Sequence, residues 1–72
     1  MNYAEQLKKI RIQSGMTALE VAERMGNSFN EKAILAMESG ERNLGISSIE
    51  KYAEACGFLI KIEFYRYTDV KE

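Results

Sequence analysis

The sequence predicts a mainly α-helical domain: a bundle of four to five helices, followed by one C-terminal β-strand that pairs across a homodimer. Three observations predict this fold class. Apolar residues recur at the 3.6-residue helical period in several stretches up to residue 57. Capping residues and glycines stand at the ends of these stretches. From residue 58 to residue 67 the apolar period changes to two, which is typical of a strand.

The stretch from Thr17 to Gly40 has the pattern of two short helices with a tight polar break between them, a helix-turn-helix. Thr17 can cap the first helix while Glu20 reaches back to the N–H of the cap, which is the capping-box pattern. Gly26 ends this helix, and Asn30 is the predicted cap of the second. The residues expected to face inward are Leu19, Val21, Ala22 and Met25 on the first helix and Ala33, Ile34 and Met37 on the second.

Further helices are predicted on both sides of this unit. One opens at the second or third residue and is closed by Gly15. A polar connection over residues 41–45 leads to another, which starts at Ile46 and runs to Gly57. The apolar positions expected to face the core are Tyr3, Leu7, Ile10 and Ile12 in the first of these helices and Ile46, Ile49, Tyr52, Ala53 and Cys56 in the other.

Residues 58–67 form the predicted strand, with apolar side chains at the even positions 58 to 64 and a polar tail at 68–72 after it. A lone strand exposes unpaired N–H and C=O groups, so it needs a partner. The same strand of a second copy is the simplest one, because a two-fold axis at Ile62 places Lys61 opposite the partner's Glu63 twice. The predicted dimer interface is Phe58, Ile60, Lys61, Ile62, Glu63 and Phe64.

Composition limits the class of protein. The 72 residues suffice for one small domain, and with no His and a single Cys they predict neither a zinc site, nor Cys/His catalysis, nor an internal disulfide. No apolar run reaches the ~20 residues that cross a bilayer, and no charged-then-apolar leader is apparent. We therefore expect a cytoplasmic protein without membrane contact, cofactor or enzymatic activity. The net charge of −1 runs against the basic excess that is usual in nucleic-acid-binding domains.

Short motifs follow one another at fixed separations: LKKIR at residues 7–11, GMT at 15–17, VAERMG at 21–26 and MESGERN at 37–43, with a last helix over 49–57. Taken in this order, residues 4–57 resemble the phage-repressor-like, or Xre-like, helix-turn-helix family.

The resemblance implies a repressor-like bundle over residues 1–57 that binds operator DNA as a dimer, and an ion pair between Arg11 and Glu38. The strand over 58–67 is similar to the dimerising strand of some repressors and helix-turn-helix antitoxins.

The resemblance also implies which residues meet double-stranded DNA. Aligned backwards from Glu38, the second helix of the motif starts after its cap and presents its first turn and outward face to the major groove. The caps and loops on either side contact phosphates. The candidate DNA-contacting residues are Thr17, Ser28, Asn30, Glu31, Lys32, Leu35, Ala36, Arg42 and Asn43.

Three departures from the family pattern bear on this interpretation. Gly26 and Glu38 are twelve positions apart, where the family has ten, so the turn is two residues longer. Glu31 can accept only from cytosine and otherwise repels phosphate, and it also suits a solvated first helical turn. Ala18 stands where the family commonly has a glutamine that contacts the DNA backbone.

The sequence is therefore compatible with two functions. One is a homodimeric, sequence-specific transcriptional regulator with its recognition helix in the major groove. The other is an antitoxin-like or regulatory module that keeps the helix-turn-helix as a scaffold and engages a protein such as a toxin. Leu35 fits both, since an outward apolar side chain can contact either a thymine methyl or another protein.

Overall fold

The computed structural model describes residues 3–26, 28–41 and 44–69. Over these ranges the chain forms four α-helices in succession: α1 (Tyr3–Gln13), α2 (Ala18–Met25), α3 (Glu31–Ser39) and α4 (Ile46–Ala55). The predicted mainly helical architecture is therefore confirmed. Among these four helices, none is long and apolar enough to cross a membrane.

Glycines end α1 and α4 through the same hydrogen-bonding motif. Gly15 and Gly57 have φ of +69° and +84°, in the left-handed region that favours glycine. The N–H of Gly57 donates to the carbonyl of Glu54, and the next N–H, of Phe58, donates to Ala53 at 2.8 Å. This pair of bonds is the Schellman motif, which satisfies the last carbonyls of a helix. The motif turns the chain sharply at the end of α4.

The core lies where α3 packs on α1 and α2, and where α4 packs on the same two helices. Val21, Ile34 and Tyr52 are fully buried at its centre. Each comes from a different helix, so the core holds α2, α3 and α4 together. The other buried residues of this cluster are Leu7, Ala18, Ala22, Met25, Met37, Ala55 and Cys56.

Four residues expected in the core are exposed instead. Tyr3, Ile12, Leu19 and Ile46 retain 54%, 60%, 49% and 59% of their accessible surface. Tyr3 is four residues before Leu7 and lies on nearly the same side of α1, but it is the first residue of the helix and lines an open apolar groove together with Leu7 and Ile10. Leu19 has a different reason: it lies to one side of the face of α2 that holds the buried Ala18, Val21, Ala22 and Met25.

A buried carboxylate joins α3 to α1 and α4. Arg11 donates to Glu38 through Nε at 2.6 Å and Nη2 at 2.9 Å, so the expected ion pair is present and is bidentate. The hydroxyl of Tyr52 also donates to Glu38, and Arg11 Nη1 donates to the carbonyl of Met16 at 3.1 Å. Because a bidentate arginine fixes direction as well as distance, this network orients α3.

The end of α4 is held by two side chains, one just after α1 and one in α2. The Ser14 hydroxyl donates to the carbonyl of Cys56 at 2.9 Å, and Arg24 Nη1 donates to the carbonyl of Ala55 at 3.2 Å. These bonds fix the point at which the C-terminal segment leaves the helical domain.

The C-terminal strand predicted over residues 58–67 is not seen. Residues 58–66 have neither helix nor strand, and Tyr67–Asp69 forms one 3-10 turn. In this single chain Lys61 Nζ contacts its own Glu63 at 2.6 Å, and Tyr65 donates to the same carboxylate. A β-strand is defined by backbone hydrogen bonds to a neighbouring strand, and the described residues of this chain contain no strand with which residues 58–66 could pair. Pairing with another copy therefore stays a prediction.

The network around Glu38 predicts a large loss of stability in Glu38→Ala. The substitution leaves the Arg11 guanidinium and the Tyr52 hydroxyl without their acceptor in a largely buried site, which costs about 3–5 kcal/mol of unfolding free energy. Urea denaturation measures this loss. Glu41→Ala, which removes an exposed carboxylate just after α3, is the matched control and should change stability by less than about 0.5 kcal/mol. Equal losses in the two variants would contradict the role given to Glu38.

Burial also predicts a loss of stability at alkaline pH. Desolvation, together with the bond to Glu38, raises the pKa of Tyr52 above its ordinary value, and burial raises the pKa of the Cys56 thiol. In a Cys56→Ala background, the unfolded chain then releases the Tyr52 proton from about pH 10 upward while the folded chain keeps it. Unfolding free energy should fall there, by up to about 1.4 kcal/mol per pH unit from this group. Adding Tyr52→Phe should remove the contribution of Tyr52 to the fall of unfolding free energy with pH, as measured by urea denaturation at several pH values. An unchanged pH dependence would contradict the role given to Tyr52.

Candidate nucleic-acid interface

The N-terminus of α2 is held by a complete capping box. The hydroxyl of Thr17 accepts from the N–H of Glu20 at 3.1 Å, and the N–H of Thr17 donates to the Glu20 carboxylate at 2.8 Å. The backbone and hydroxyl bonds from Thr17 lower the pKa of Glu20. Thr17 is exposed, so this end of the helix presents a polar side chain beside the first backbone N–H groups, which have no acceptor within the helix.

A five-residue connection separates α2 from α3, and an aromatic residue anchors it. Gly26 has φ of +106°, and the N–H of Phe29 donates to its carbonyl at 3.2 Å. The Phe29 side chain packs against the core cluster, whereas Ser28 and Asn30 are exposed. The longer turn is therefore fixed at its far end, directly before α3 begins.

The first turn of α3 is capped and faces solvent. The Asn30 side chain accepts from the N–H of Ala33 at 2.8 Å, as its position before the helix predicts. Glu31 and Lys32 are exposed, and Leu35 one turn later retains 49% of its surface. On the opposite side of the helix, the buried residues are Ile34, Met37 and Glu38. One face of α3 is thus fixed in the core and the other is available for contacts.

A sequence profile of helix-turn-helix proteins matches residues 7–60. The chain belongs to the helix-turn-helix family. Membership points to a DNA-binding regulator. Comparison with curated proteins and with solved structures gives no significant match.

Most of the candidate contact residues of this helix-turn-helix protein are exposed on the α2–α3 unit. Ala36 is half-buried, because it lies between the exposed and the core faces of α3. Arg42 and Asn43, predicted to contact phosphates, lie outside the described residues. The exposed candidates of the unit are Thr17, Ser28, Asn30, Glu31, Lys32 and Leu35.

Sequence reasoning missed two residues of this unit. Phe29 stands in a polar run, but an apolar residue just before a helix cap often packs against the fourth helical residue, which here is the buried Ile34. Leu19, which the helical period predicts to face inward, is as exposed as Leu35, at 49%. The helix-turn-helix unit therefore presents two leucines as well as polar groups.

The unit is acidic overall. From Thr17 to Gly40 the sequence contains four carboxylates and two cations, Arg24 and Lys32. Glu38 is buried and paired, but the exposed carboxylates still reduce the attraction of this surface for phosphates. Lys32 is the only cation in α3. Within the described ranges, no group of acidic or cysteine side chains comes together as a metal site.

Proposed function

We propose that this protein is a sequence-specific DNA-binding transcriptional regulator that acts as a homodimer, with α3 of each copy in the major groove. The observation that carries the proposal is the two-sided character of α3, whose capped first turn is exposed while its other face is tied to the core through Glu38. A recognition helix needs both properties, because its N-terminal side chains read base edges and its orientation must be fixed by the rest of the domain.

The caps and the loop supply the proposed backbone contacts. Thr17 and Asn30 lie at the N-termini of α2 and α3, where the helix dipole and the N–H groups of the first turn favour a phosphate. Ser28 is exposed in the turn between these two helices. Arg42 and Asn43 follow α3 in the sequence, and we propose them as further phosphate contacts on the basis of the family pattern.

The proposed base contacts come from three side chains of α3. Lys32 can donate to the acceptors of guanine, Glu31 can accept from the amino group of cytosine, and Leu35 can contact a thymine methyl. Ala36 provides only a small surface beside them. We expect the contribution of each base contact to be modest, since none of these residues makes a bidentate arginine contact.

The dimer places two such helices on one face of DNA. In the proposed arrangement residues 58–67 of the two copies pair antiparallel about Ile62, and half-sites one helical turn apart, about 34 Å, are read together. Because a DNA-binding regulator acts where the chromosome is, we place this protein in the cytoplasm.

A second candidate function is an antitoxin-like or regulatory module that binds another protein, such as a toxin. It is favoured by the two exposed leucines, Leu19 and Leu35, on an acidic helix-turn-helix unit. Exposed apolar side chains gain free energy when a partner protein removes them from water. Co-purification from the native cell tests it, and the absence of any partner would count against it.

If α3 binds DNA, removing a lysine from α3 should weaken DNA binding more than removing a lysine from α4. In fluorescence anisotropy with the protein's own upstream DNA at low salt, Lys32→Ala should weaken binding about three- to tenfold and lower the salt slope by about one. Lys51→Ala is the matched control, because it makes the same charge change beside Arg24 and Met25, at the opposite end of α2 from Thr17. No binding of the unmodified protein, or equal effects of both variants, would contradict the proposed interface.

Strand pairing predicts that Ile62→Lys dissociates the dimer, because the substitution puts two like charges at the two-fold axis. Sedimentation velocity should report a dimer for the unmodified protein and a monomer for this variant. Leu59→Lys adds the same charge to the outward side of the segment, where Leu59 is 89% exposed, and should leave the dimer intact. If Ile62→Lys stays dimeric, the interface lies elsewhere.

A further inference from the structure

An apolar groove lies between the helical domain and the C-terminal segment. Its volume is about 500 Å³, and α1 and α4 line it with Tyr3, Ile10, Ile46 and Ile49. The segment lines the other side through residues 58–62. Tyr3 and Ile46 remain more than half exposed, so the residues that the structure describes leave the groove unfilled.

Alternation along the segment shows which of its side chains face this groove. Phe58, Ile60 and Ile62 are partly covered, at 39% exposed for Phe58 and 48% for Ile62, whereas Leu59 between them is 89% exposed. The even side therefore faces the helical domain, as the two-residue period of an extended chain requires. Phe64 is the next even residue, but it is 91% exposed.

We propose that Phe64 of a second copy fills this groove, and that the exchange is reciprocal. This inference rests on the strand pairing proposed above. With the two-fold axis at Ile62, the partner's Phe64 lies directly opposite Ile60 and on the same face of the pair, where side chains are about 4.5–5.5 Å apart at Cβ. Because Ile60 lines the groove, the ring enters it beside Tyr3 and Ile46.

The charges of the segment agree with this register. Lys61 and Glu63 are at odd positions, so in the paired strands they lie on the face opposite the even apolar residues and meet across the axis. A two-stranded ribbon alone is only marginally stable in water, and it needs an apolar face packed against a helix. Two buried phenylalanine rings add about 300–500 Å², a sizeable part of a standard interface of about 1,600 Å².

The first test compares two exposed aromatic residues by sedimentation equilibrium. Phe64→Ala should raise the dimer dissociation constant about a hundredfold, because both rings of the symmetric dimer are lost. Tyr67→Ala removes a ring that is 92% exposed and lies beyond the paired residues that flank the groove, and it should change the constant less than threefold. Equal effects of the two substitutions would overturn the inference.

The second test places charges on both sides of the proposed contact. Ile46→Glu introduces a carboxylate at the groove, in the first turn of α4, which has no acidic residue and where a negative charge suits the helix dipole. Phe64→Lys introduces an ammonium group on the segment. Each variant alone should dimerise at least tenfold more weakly, while each helical domain stays folded.

Mixing these two variants gives the decisive result. In a mixed dimer one groove keeps Ile46 and receives the partner's unmodified Phe64, while the other brings the introduced carboxylate and ammonium together. The mixture should therefore dimerise more tightly than either variant alone. If Phe64 turns back into the groove of its own chain, mixing restores nothing, and the inference is wrong.

The same measurements separate this inference from the proposed function. An unmodified protein that is monomeric overturns both the strand-paired dimer and the exchanged rings. A dimer that Ile62→Lys dissociates but Phe64→Ala leaves unchanged keeps the proposed regulator and overturns only the role of Phe64.

Discussion

The buried carboxylate of Glu38 is the interaction on which the arrangement of α3 depends. A buried charge is costly unless it is paired and hydrogen-bonded, and here Arg11 from α1 and Tyr52 from α4 supply the donors. Both donors must reach one carboxylate, so three helices are placed relative to a single point. The direction in which α3 presents its exposed face is therefore set by the core rather than by the turn that precedes it.

Because the core sets the orientation of α3, the domain can accommodate a turn two residues longer than the family pattern. The extra length lies between Gly26 and Asn30, where Phe29 packs against the core before the helix begins. Because loop closure changes little in free energy with two added residues, the insertion needs only a local anchor. Helix α3 keeps its cap, its buried face and its ion pair, and the exposed first turn remains available.

Helix caps and the helical period predict much of this fold, but features that depend on tertiary contacts or on a second chain are not predictable from them. Caps such as Thr17 and Asn30 act within a few residues, so the sequence locates the helix starts. Neighbouring apolar residues are harder to place: Leu19 and Val21 both suit a short helix, and only the tertiary contacts decide which one is buried. The proposed pairing of residues 58–67 requires a second chain, so the structure of a single chain does not test it. In the candidate site, the helical period predicts that Lys32 is exposed. It does not predict that Phe29, which lies outside a helix, anchors the turn on the core.

Because the α2–α3 unit has few cations, the proposed function depends strongly on dimerisation. Phosphate neutralisation supplies most non-specific affinity, and α3 offers only Lys32 for it, beside Glu31. One half-site alone would be held weakly. Two linked half-sites bind with a high effective concentration for the second contact, provided that the spacing between the two copies of α3 is fixed. Rings exchanged between the helical domains would fix that spacing better than a bare two-stranded ribbon, because they tie each segment to the partner's α1 and α4.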